Sequence, residues 1–259
     1  SDRLDGVGEY YFSRKLREID QMRAAGRRII SLGIGSPDRP PHSSVVDRLH
    51  EVALRPDTHA YQSYKGAAVL RRAFATWYAD RYGVQLDPES EILPLIGSKE
   101  GLMHICMTYL CKGDRVLIPN PGYPTYRSAV TLSGGEPKEY RLNSEGDWFP
   151  DFELIEREGL ERVKMMILNY PQMPTGAVPT REMFARVVEF AHRHSILLVH
   201  DNPYSFVRNA EPLSLLSVEG AKECGANRVE LYTEAYAAGY KADREAAIAP
   251  YVEAAEAAR

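Results

Sequence analysis

The sequence has few cysteines, no long apolar run and no block of basic residues. Its three cysteines, Cys106, Cys111 and Cys224, are a small, odd set, which favours a reducing compartment over a disulfide framework and predicts a cytoplasmic protein. We expect buried thiols at Cys106 and Cys111 rather than a metal site, because no second ligand pair accompanies them. No apolar stretch approaches the roughly 20 residues that a membrane-spanning helix needs. The 32 basic residues are balanced by 36 acidic ones, so we expect neither nucleic-acid nor membrane partners.

What the sequence does contain is an alternation of helical and strand-like segments. Helical spacing in residues 66–82 places apolar residues on one stripe, and residues 97–110 and 180–195 also look helical. The stripe comprises Leu70, Ala73, Phe74, Trp77 and Tyr78. Short apolar strands that run into loops follow in the segments 114–124, 164–176 and 196–206, without polar alternation. This pattern predicts an α/β fold whose mostly parallel sheet is covered by helices on both faces. Ligands bind beyond the carboxyl ends of the strands in such sheets.

The segment Gly97-Ser98-Lys99-Glu100-Gly101 opens one of the predicted helices. A helix N-terminus presents free backbone N–H groups and a positive dipole end, which suit a phosphate. Ser98 would add a hydroxyl group and Lys99 a positive charge. An ordinary N-cap at Ser98 explains the same residues, so this segment leaves both interpretations open.

Two further segments follow strands and carry aromatic or acidic residues. Tyr123 lies between prolines and would offer a rigid face for stacking on a flat ring, or it would simply pack inward from a turn. Asp201 ends a buried strand, where a carboxylate is unfavourable unless it is paired. A protonated pyridine nitrogen is one such partner, with Tyr204 near the phenolic oxygen of the same ring. The alternative is that Asp201 caps the following turn.

Taken together, the order and spacing of these segments resemble the fold-type I enzymes that depend on pyridoxal phosphate. The segments are GSKEG at 97–101, NPGYP at 120–124, NYPQMPTG at 169–176 and DNPY at 201–204. The closest resemblance is to class I and II aminotransferases of the aspartate and LL-diaminopimelate type, and it covers roughly residues 8–222. It implies the large domain of that fold, with pyridoxal 5'-phosphate as cofactor and an amino acid and a 2-oxo acid as substrates.

The resemblance also implies a role for each matching residue. The cofactor-binding positions are Ser98 and Lys99 at the phosphate, Tyr123 on the ring, Asp201 at the ring nitrogen and Tyr204 at the phenolic oxygen.

Two more positions are implied by the resemblance. Gly35 matches the backbone that lines the pocket for the substrate carboxylate. Tyr61 matches a tyrosine that reaches the phosphate of the neighbouring subunit, which implies a homodimer.

In the third segment the family's Asn-Pro-Thr-Gly begins instead with Met173. That asparagine bonds the phenolic oxygen of the cofactor, whereas a thioether is only a weak acceptor. Asn169, four residues earlier, is our candidate for a partial replacement. Losing one neutral hydrogen bond costs on the order of 1 kcal/mol, so this departure retunes the site rather than abolishing it.

A second departure concerns the lysine that binds the cofactor covalently in this family. Its position falls near Tyr236, and neither Lys222 nor Lys241 is a natural replacement. The sequence therefore predicts no catalytic lysine. Residues 224–259 resemble instead a fragment of pyridoxine 5'-phosphate synthase, a TIM-barrel enzyme, in which Glu230 matches an active-site residue.

These observations predict three parts: an N-terminal arm with a small-domain segment at 1–40, an incomplete cofactor-binding large domain at 41–222, and a foreign strand-helix tail at 223–259. The expected function is that of an aminotransferase by family. The alternatives are a non-catalytic remnant that holds the cofactor and a chimeric or truncated product.

Overall fold

The computed structural model describes residues 4, 8–9, 11–33, 40–207 and 209–224. The chain forms two compact units, residues 1–40 and 41–259. The described helix of the first unit is α1, Tyr11–Ala24. The predicted tail lies almost entirely in residues 225–259, outside the described residues, as do Gly35, Glu230, Tyr236 and Lys241.

The second unit alternates helices and strands along the chain. Its elements are α2 (Ser43–Ala53), α3 (Ala68–Tyr82), α4 (Ser98–Tyr109), β1 (Arg115–Asn120), α5 (Pro124–Leu132), β2 (Glu136–Arg141), α6 (Phe152–Arg157), β3 (Val163–Asn169), α7 (Arg181–His194) and β4 (Leu197–Asp201).

The four strands form one sheet in the order β2-β1-β3-β4, and every pair of neighbours is parallel. The inner strands β1 and β3 are almost fully buried, as expected for strands covered on both faces. In the pairing of β3 with β4, Asn169 is opposite Asp201. The carboxyl ends of these two strands therefore meet at one edge of the sheet. The predicted α/β class with a parallel sheet is confirmed.

Helices cover both faces of the sheet and bury two separate cores. One core joins side chains of α4 and α5 to one face, for example Cys106, Val130 and Ile167. The other joins α6 and α7 to the opposite face, for example Ile155 and Phe184. Each core is built from fully buried apolar side chains, and burying one such side chain contributes about 1.5–3 kcal/mol. The polar side chains at the carboxyl ends of the strands are therefore carried by a sheet that is packed on both faces.

Side chains of β4 alternate between these two cores, as they must in a strand. Leu198 belongs to the core with α6 and α7, whereas Leu197 and Val199 pack against the core with α4 and α5. By the same alternation, His200 and Asp201 point to opposite faces of the sheet.

Several elements were not apparent from the sequence. Strand β2 is polar, with Tyr140 as its one buried residue, because an edge strand needs little apolar character. Helix α5 begins directly at Pro124, within the segment that we interpreted as a loop; a proline at the first helical position was the available signal. Two expectations were wrong: Leu70 is 44% exposed, and Cys111 is exposed although Cys106 is buried. Within the described residues, no helix is both long and apolar enough to cross a membrane.

Candidate active site

A cavity of about 450 Å³ lies at the carboxyl edge of β3 and β4. Its walls come from α3, the segment before α4, one side of α4 along its whole length, the start of α5, and the ends of β3 and β4 with the loops that follow them. Six residues singled out from the sequence line it: Ser98, Tyr123, Asn169, Met173, Asp201 and Tyr204. Four segments that are far apart in the sequence are thus brought together, as the resemblance implied.

Asp201 is the acidic group of this cavity. One carboxylate oxygen, Oδ2, accepts a hydrogen bond of 2.7 Å from the hydroxyl group of Tyr126 on α5. Among the described residues, no hydrogen bond reaches the other oxygen, Oδ1. Burial raises the pKa of Asp201, and the bond from Tyr126 partly offsets that rise. A cationic partner in the cavity would therefore stabilise this carboxylate.

The loop between β1 and α5 presents Tyr123 to the cavity. Tyr123 is half-buried and meets Tyr126 edge to face, with 5.7 Å between the ring centroids. The ammonium group of Lys99 lies 5.7 Å from the centroid of the Tyr123 ring, within the distance of a cation–π contact. Gly122 is required here because an added Cβ would collide with the carbonyl oxygen of Pro119. The turn therefore fixes the aromatic ring at the cavity wall.

The N-terminus of α4 also opens on the cavity. The helix begins at Ser98, and its N-cap is Gly97, whose positive φ of 95° favours glycine. The N-cap that we considered for Ser98 is therefore wrong; Ser98 is the first helical residue and lines the cavity. Glu100 accepts a 2.5 Å hydrogen bond from the backbone of Ile96 just before the helix. The Ser98 hydroxyl and the helix dipole suit an anion at this end of the cavity.

Asn169 ties the ends of β3 and β4 together. Its amide Nδ2 donates to the backbone oxygen of Asp201 at 2.9 Å, and its Oδ1 accepts from the backbone N–H of Met173 at 2.9 Å. One N–H of the amide remains for a further partner. Asn169 lines the cavity beside Met173; its role as a partial replacement for the family's asparagine stays a prediction.

Gln172 holds two of the cavity-forming loops together, a role that the sequence reasoning missed. Its buried amide Nε2 donates to the backbone oxygens of Pro121 and Met173, both at 2.8 Å. Its Oε1 accepts from the backbone N–H and the hydroxyl group of Thr175 at 3.0 and 2.7 Å. The side chain therefore joins the Tyr123 loop to the loop after β3. The sequence signal for this role was limited to a glutamine next to Met173-Pro174, in a loop that follows a buried strand.

His200 and Tyr126 were also missed. His200 donates from Nε2 to the backbone oxygen of Tyr170 at 2.9 Å, and burial lowers the pKa of its ring to about 4. It is therefore neutral at pH 7. Tyr126 closes the segment that also contains Tyr123, but only the packing of α5 shows that its hydroxyl group reaches Asp201.

Of the remaining predicted residues, one lies at the cavity and two do not. Tyr204 lines the cavity, in a turn held by a 2.7 Å bond from the Ser205 hydroxyl to Asn202. Tyr61 is fully exposed and does not line this cavity. Lys222 is paired with Glu91 at 2.8 Å and is also absent from the cavity walls.

These features define an α/β protein with a cavity at the carboxyl edge of its parallel sheet. The model of the family "Aminotransferase class I and II" matches residues 27–239. The chain belongs to this family, which confirms the resemblance, and members of the family depend on pyridoxal phosphate. The match runs past residue 222, where we expected the resemblance to end.

Individual relatives agree with this assignment. An LL-diaminopimelate aminotransferase from Halothermothrix orenii is 37% identical over 87% of this chain and 58% of its own length. An L-glutamine–4-(methylsulfanyl)-2-oxobutanoate aminotransferase from Bacillus subtilis is 38% identical over 89% of this chain and 58% of its own length. Among solved structures, substrate-bound BacF from Bacillus subtilis has a TM-score of 0.81 at 37% identity, covering 86% of this chain and 57% of BacF. The chain thus spans a little under three-fifths of the length of these relatives.

Proposed function

We propose that the cavity binds pyridoxal phosphate and that the chain is part of an aminotransferase, which moves an amino group between an amino acid and a 2-oxo acid. The observation that carries this proposal is the carboxylate of Asp201. It stands at the carboxyl end of β4, faces a 450 Å³ cavity and has one oxygen left for a partner. The family assignment of residues 27–239 supports the same reaction.

The residues present fit the phosphate group of this cofactor. The N-terminus of α4 provides backbone N–H groups and the positive end of a 12-residue helix. Ser98 would donate its hydroxyl group to a phosphate oxygen. Lys99 would add a positive charge, although its ammonium group also lies over the Tyr123 ring.

The residues present also fit the ring. Tyr123 offers an aromatic face held by the loop that Gln172 anchors. Asp201 would accept a hydrogen bond from the ring nitrogen through Oδ1, and Tyr204 would donate to the phenolic oxygen. Asn169 retains one N–H for that oxygen, where Met173 replaces the usual asparagine.

When bound, pyridoxal phosphate supplies an electron-withdrawing ring that stabilises negative charge at the α-carbon of the substrate. This chain's residues contribute the conditions for that chemistry. Asp201, as a carboxylate, would keep the proton on the ring nitrogen, since a charge-assisted hydrogen bond is roughly twice as strong as a neutral one. Tyr123 would offer its aromatic face for stacking on the ring. A role for Gly35 at the substrate carboxylate stays a prediction from the resemblance, because this residue lies outside the described residues.

A second candidate function is non-covalent binding of the cofactor without catalysis. The observation in its favour is that no lysine lines the cavity within the described residues. Lys99 lies over the Tyr123 ring, and Lys222 is engaged by Glu91. The position of the expected lysine, near Tyr236, is outside the described residues.

One experiment tests binding and separates the two functions. The purified chain is titrated with pyridoxal phosphate, alongside Asp201→Asn and the matched control Asp114→Asn. Asp114 is another buried aspartate, bonded to the backbone of Cys111, and it is absent from the cavity walls. We expect Asp201→Asn to weaken binding about 10- to 100-fold, because a hydrogen bond to a charged group is worth about 1.5–3 kcal/mol. The control should leave it unchanged.

The titrated sample is then reduced with borohydride and mapped by peptide mass. An adduct on a single lysine would support the catalytic function. Tight binding without an adduct would support the non-catalytic one. Equal binding by the wild type and the Asp201→Asn variant would refute the proposed site.

We also propose that the chain forms a homodimer in the cytoplasm, with no nucleic-acid or membrane partner. Tyr61 is fully exposed, and Leu49 and Leu54 of the α2 region are 69% and 71% exposed, which leaves apolar surface for a second subunit. In the dimer, Tyr61 would reach the phosphate of the neighbouring site. Sedimentation velocity of wild type and Tyr61→Phe tests this: both should be dimers, but the variant should bind the cofactor more weakly.

The division into residues 1–40, 41–222 and 223–259 stays a prediction, as does the resemblance of the tail to pyridoxine 5'-phosphate synthase. Sequencing genomic DNA across codons 215–235 would test whether the tail is encoded continuously with the rest. If the genomic reading frame does not continue across these codons, the chain is a chimera.

A further inference from the structure

We infer that Tyr126 is a positioning residue for Asp201: it binds one carboxylate oxygen, so that the other is presented to the cavity as a charged acceptor. This inference rests on the proposed function, because its purpose is to make the site select a protonated ring nitrogen.

The geometry of the pair is fixed from both sides. Tyr126 is 1% exposed and belongs to the core between α5 and the sheet, so its ring cannot swing away. Its hydroxyl group donates to Oδ2 of Asp201 at 2.7 Å. On the other side, Asn169 donates to the backbone oxygen of Asp201 at 2.9 Å. With the backbone and one oxygen held, the orientation of Oδ1 is determined.

The charge environment makes the hydroxyl group important. The other titratable side chains of the cavity wall are tyrosines and histidines: Tyr78, Tyr109, Tyr123, Tyr126, Tyr204, His104 and His200. Lys99 is drawn to the Tyr123 ring. The ring of His200 is bonded to the backbone oxygen of Tyr170 at 2.9 Å, and burial lowers its pKa to about 4, so it carries no charge at pH 7.

Within the described residues, no arginine or lysine lines the cavity. The bond from Tyr126 is therefore the side-chain contact that stabilises the charged form of Asp201. It acts against burial, which raises the pKa of that carboxyl group. Without it, the carboxyl group would be less ionised and free to rotate, and it would bind a ring N–H⁺ less well.

Selectivity for the ring nitrogen is the property that a merely structural role would not change. The test measures dissociation constants for pyridoxal phosphate and for its analogue with a C–H group in place of the ring nitrogen. The ratio of the two constants reports the contact with Asp201 alone. It is measured for wild type, Tyr126→Phe and the matched control Tyr140→Phe, which removes another buried hydroxyl group, bonded to the backbone of Ile167 at 2.8 Å.

We expect Tyr126→Phe to reduce the ratio about 5- to 10-fold, as loss of one hydrogen bond of about 1 kcal/mol or slightly more predicts, and Tyr140→Phe to leave it unchanged. In an Asp201→Asn background, Tyr126→Phe should have no further effect, because the two residues act through one contact. If Tyr126→Phe does not fold, two non-natural residues of similar shape replace it at position 126. One, 4-aminophenylalanine, keeps a hydrogen-bond donor, and the other, 4-fluorophenylalanine, has none. The amino variant should keep the ratio and the fluoro variant lose it.

Two kinds of failure can be told apart. If the wild type binds pyridoxal phosphate selectively and Tyr126→Phe retains the full ratio, the role of Tyr126 is refuted and the proposed function stands. If the wild type binds both compounds equally or not at all, the proposed site is refuted and the inference with it.

Discussion

Arg71 offers a direct test of how the segment just before α3 is held to the loop after α3, because its neighbour Arg72 serves as a control. The guanidinium group of Arg71 is 4% exposed. It donates to the backbone oxygens of Pro88 at 2.7 Å and Gly66 at 2.6 Å. It also forms two bonds to the carboxylate of Glu89, at 2.8 and 3.0 Å. Arg72 is exposed.

The magnitude follows from these contacts. Glu89 is 59% exposed, so its carboxylate would be hydrated after Arg71→Met and the lost ion pair contributes little. The two short bonds to backbone oxygens contribute more, at about 1.5 kcal/mol each for a charged donor. We therefore expect Arg71→Met to lower the free energy of unfolding by about 3 kcal/mol. For a domain of this size, that corresponds to a loss of roughly 6–12 °C in Tm.

Urea unfolding followed by far-ultraviolet ellipticity measures this difference. Arg72→Met should change the free energy of unfolding by less than about 0.5 kcal/mol, as is usual at exposed positions. Equal losses of unfolding free energy in Arg71→Met and Arg72→Met would refute the reasoning. They would show that the buried hydrogen bonds of Arg71 add nothing to the loss of one positive charge.

Three further substitutions have defined outcomes. Gln172→Leu should cost about 2–4 kcal/mol of unfolding free energy in urea, since it removes a buried amide with four bonds, whereas the exposed Gln62→Leu should be neutral. Gly122→Ala should lower Tm and weaken pyridoxal phosphate binding through its backbone collision, and Gly146→Ala, with only an ordinary contact, should do neither. His200→Gln should flatten the pH dependence of stability between pH 6.5 and about 4. In the wild type the unfolded state binds the extra proton there, so stability falls on acidification, by at most about 1.4 kcal/mol per pH unit; an unchanged slope would contradict the burial of this ring.

The elements that carry polar residues at their ends were predictable, because a buried strand followed by a loop has a strong sequence signal. Asp201, Asn169 and Tyr123 were all recognised in this way, and the structure brings them to one cavity. Their roles came from the resemblance, since each residue alone had an ordinary structural explanation.

What could not be predicted depends on contacts between distant segments. The bond between Tyr126 and Asp201 spans 75 positions, and that between Gln172 and Pro121 spans 51. Strand β2 escaped notice because an edge strand with one buried residue has no apolar pattern. Such contacts follow from how α5 packs on the sheet, not from local spacing.

The alternation along β4 has a consequence for how this site can diverge. The ring of His200 packs against Phe184 and is bonded to the backbone of Tyr170, whereas the carboxylate of Asp201, one residue later, accepts the bond from Tyr126 on the other face of the sheet. A substitution at the strand end or in the following loop can therefore alter ligand preference without disturbing the packing beneath it. An insertion of one residue within β4 would exchange the two positions, placing a carboxylate in the apolar core and an imidazole in the cavity. Evolution of this site is thus expected to proceed by replacement at its rim and not by changes in strand length.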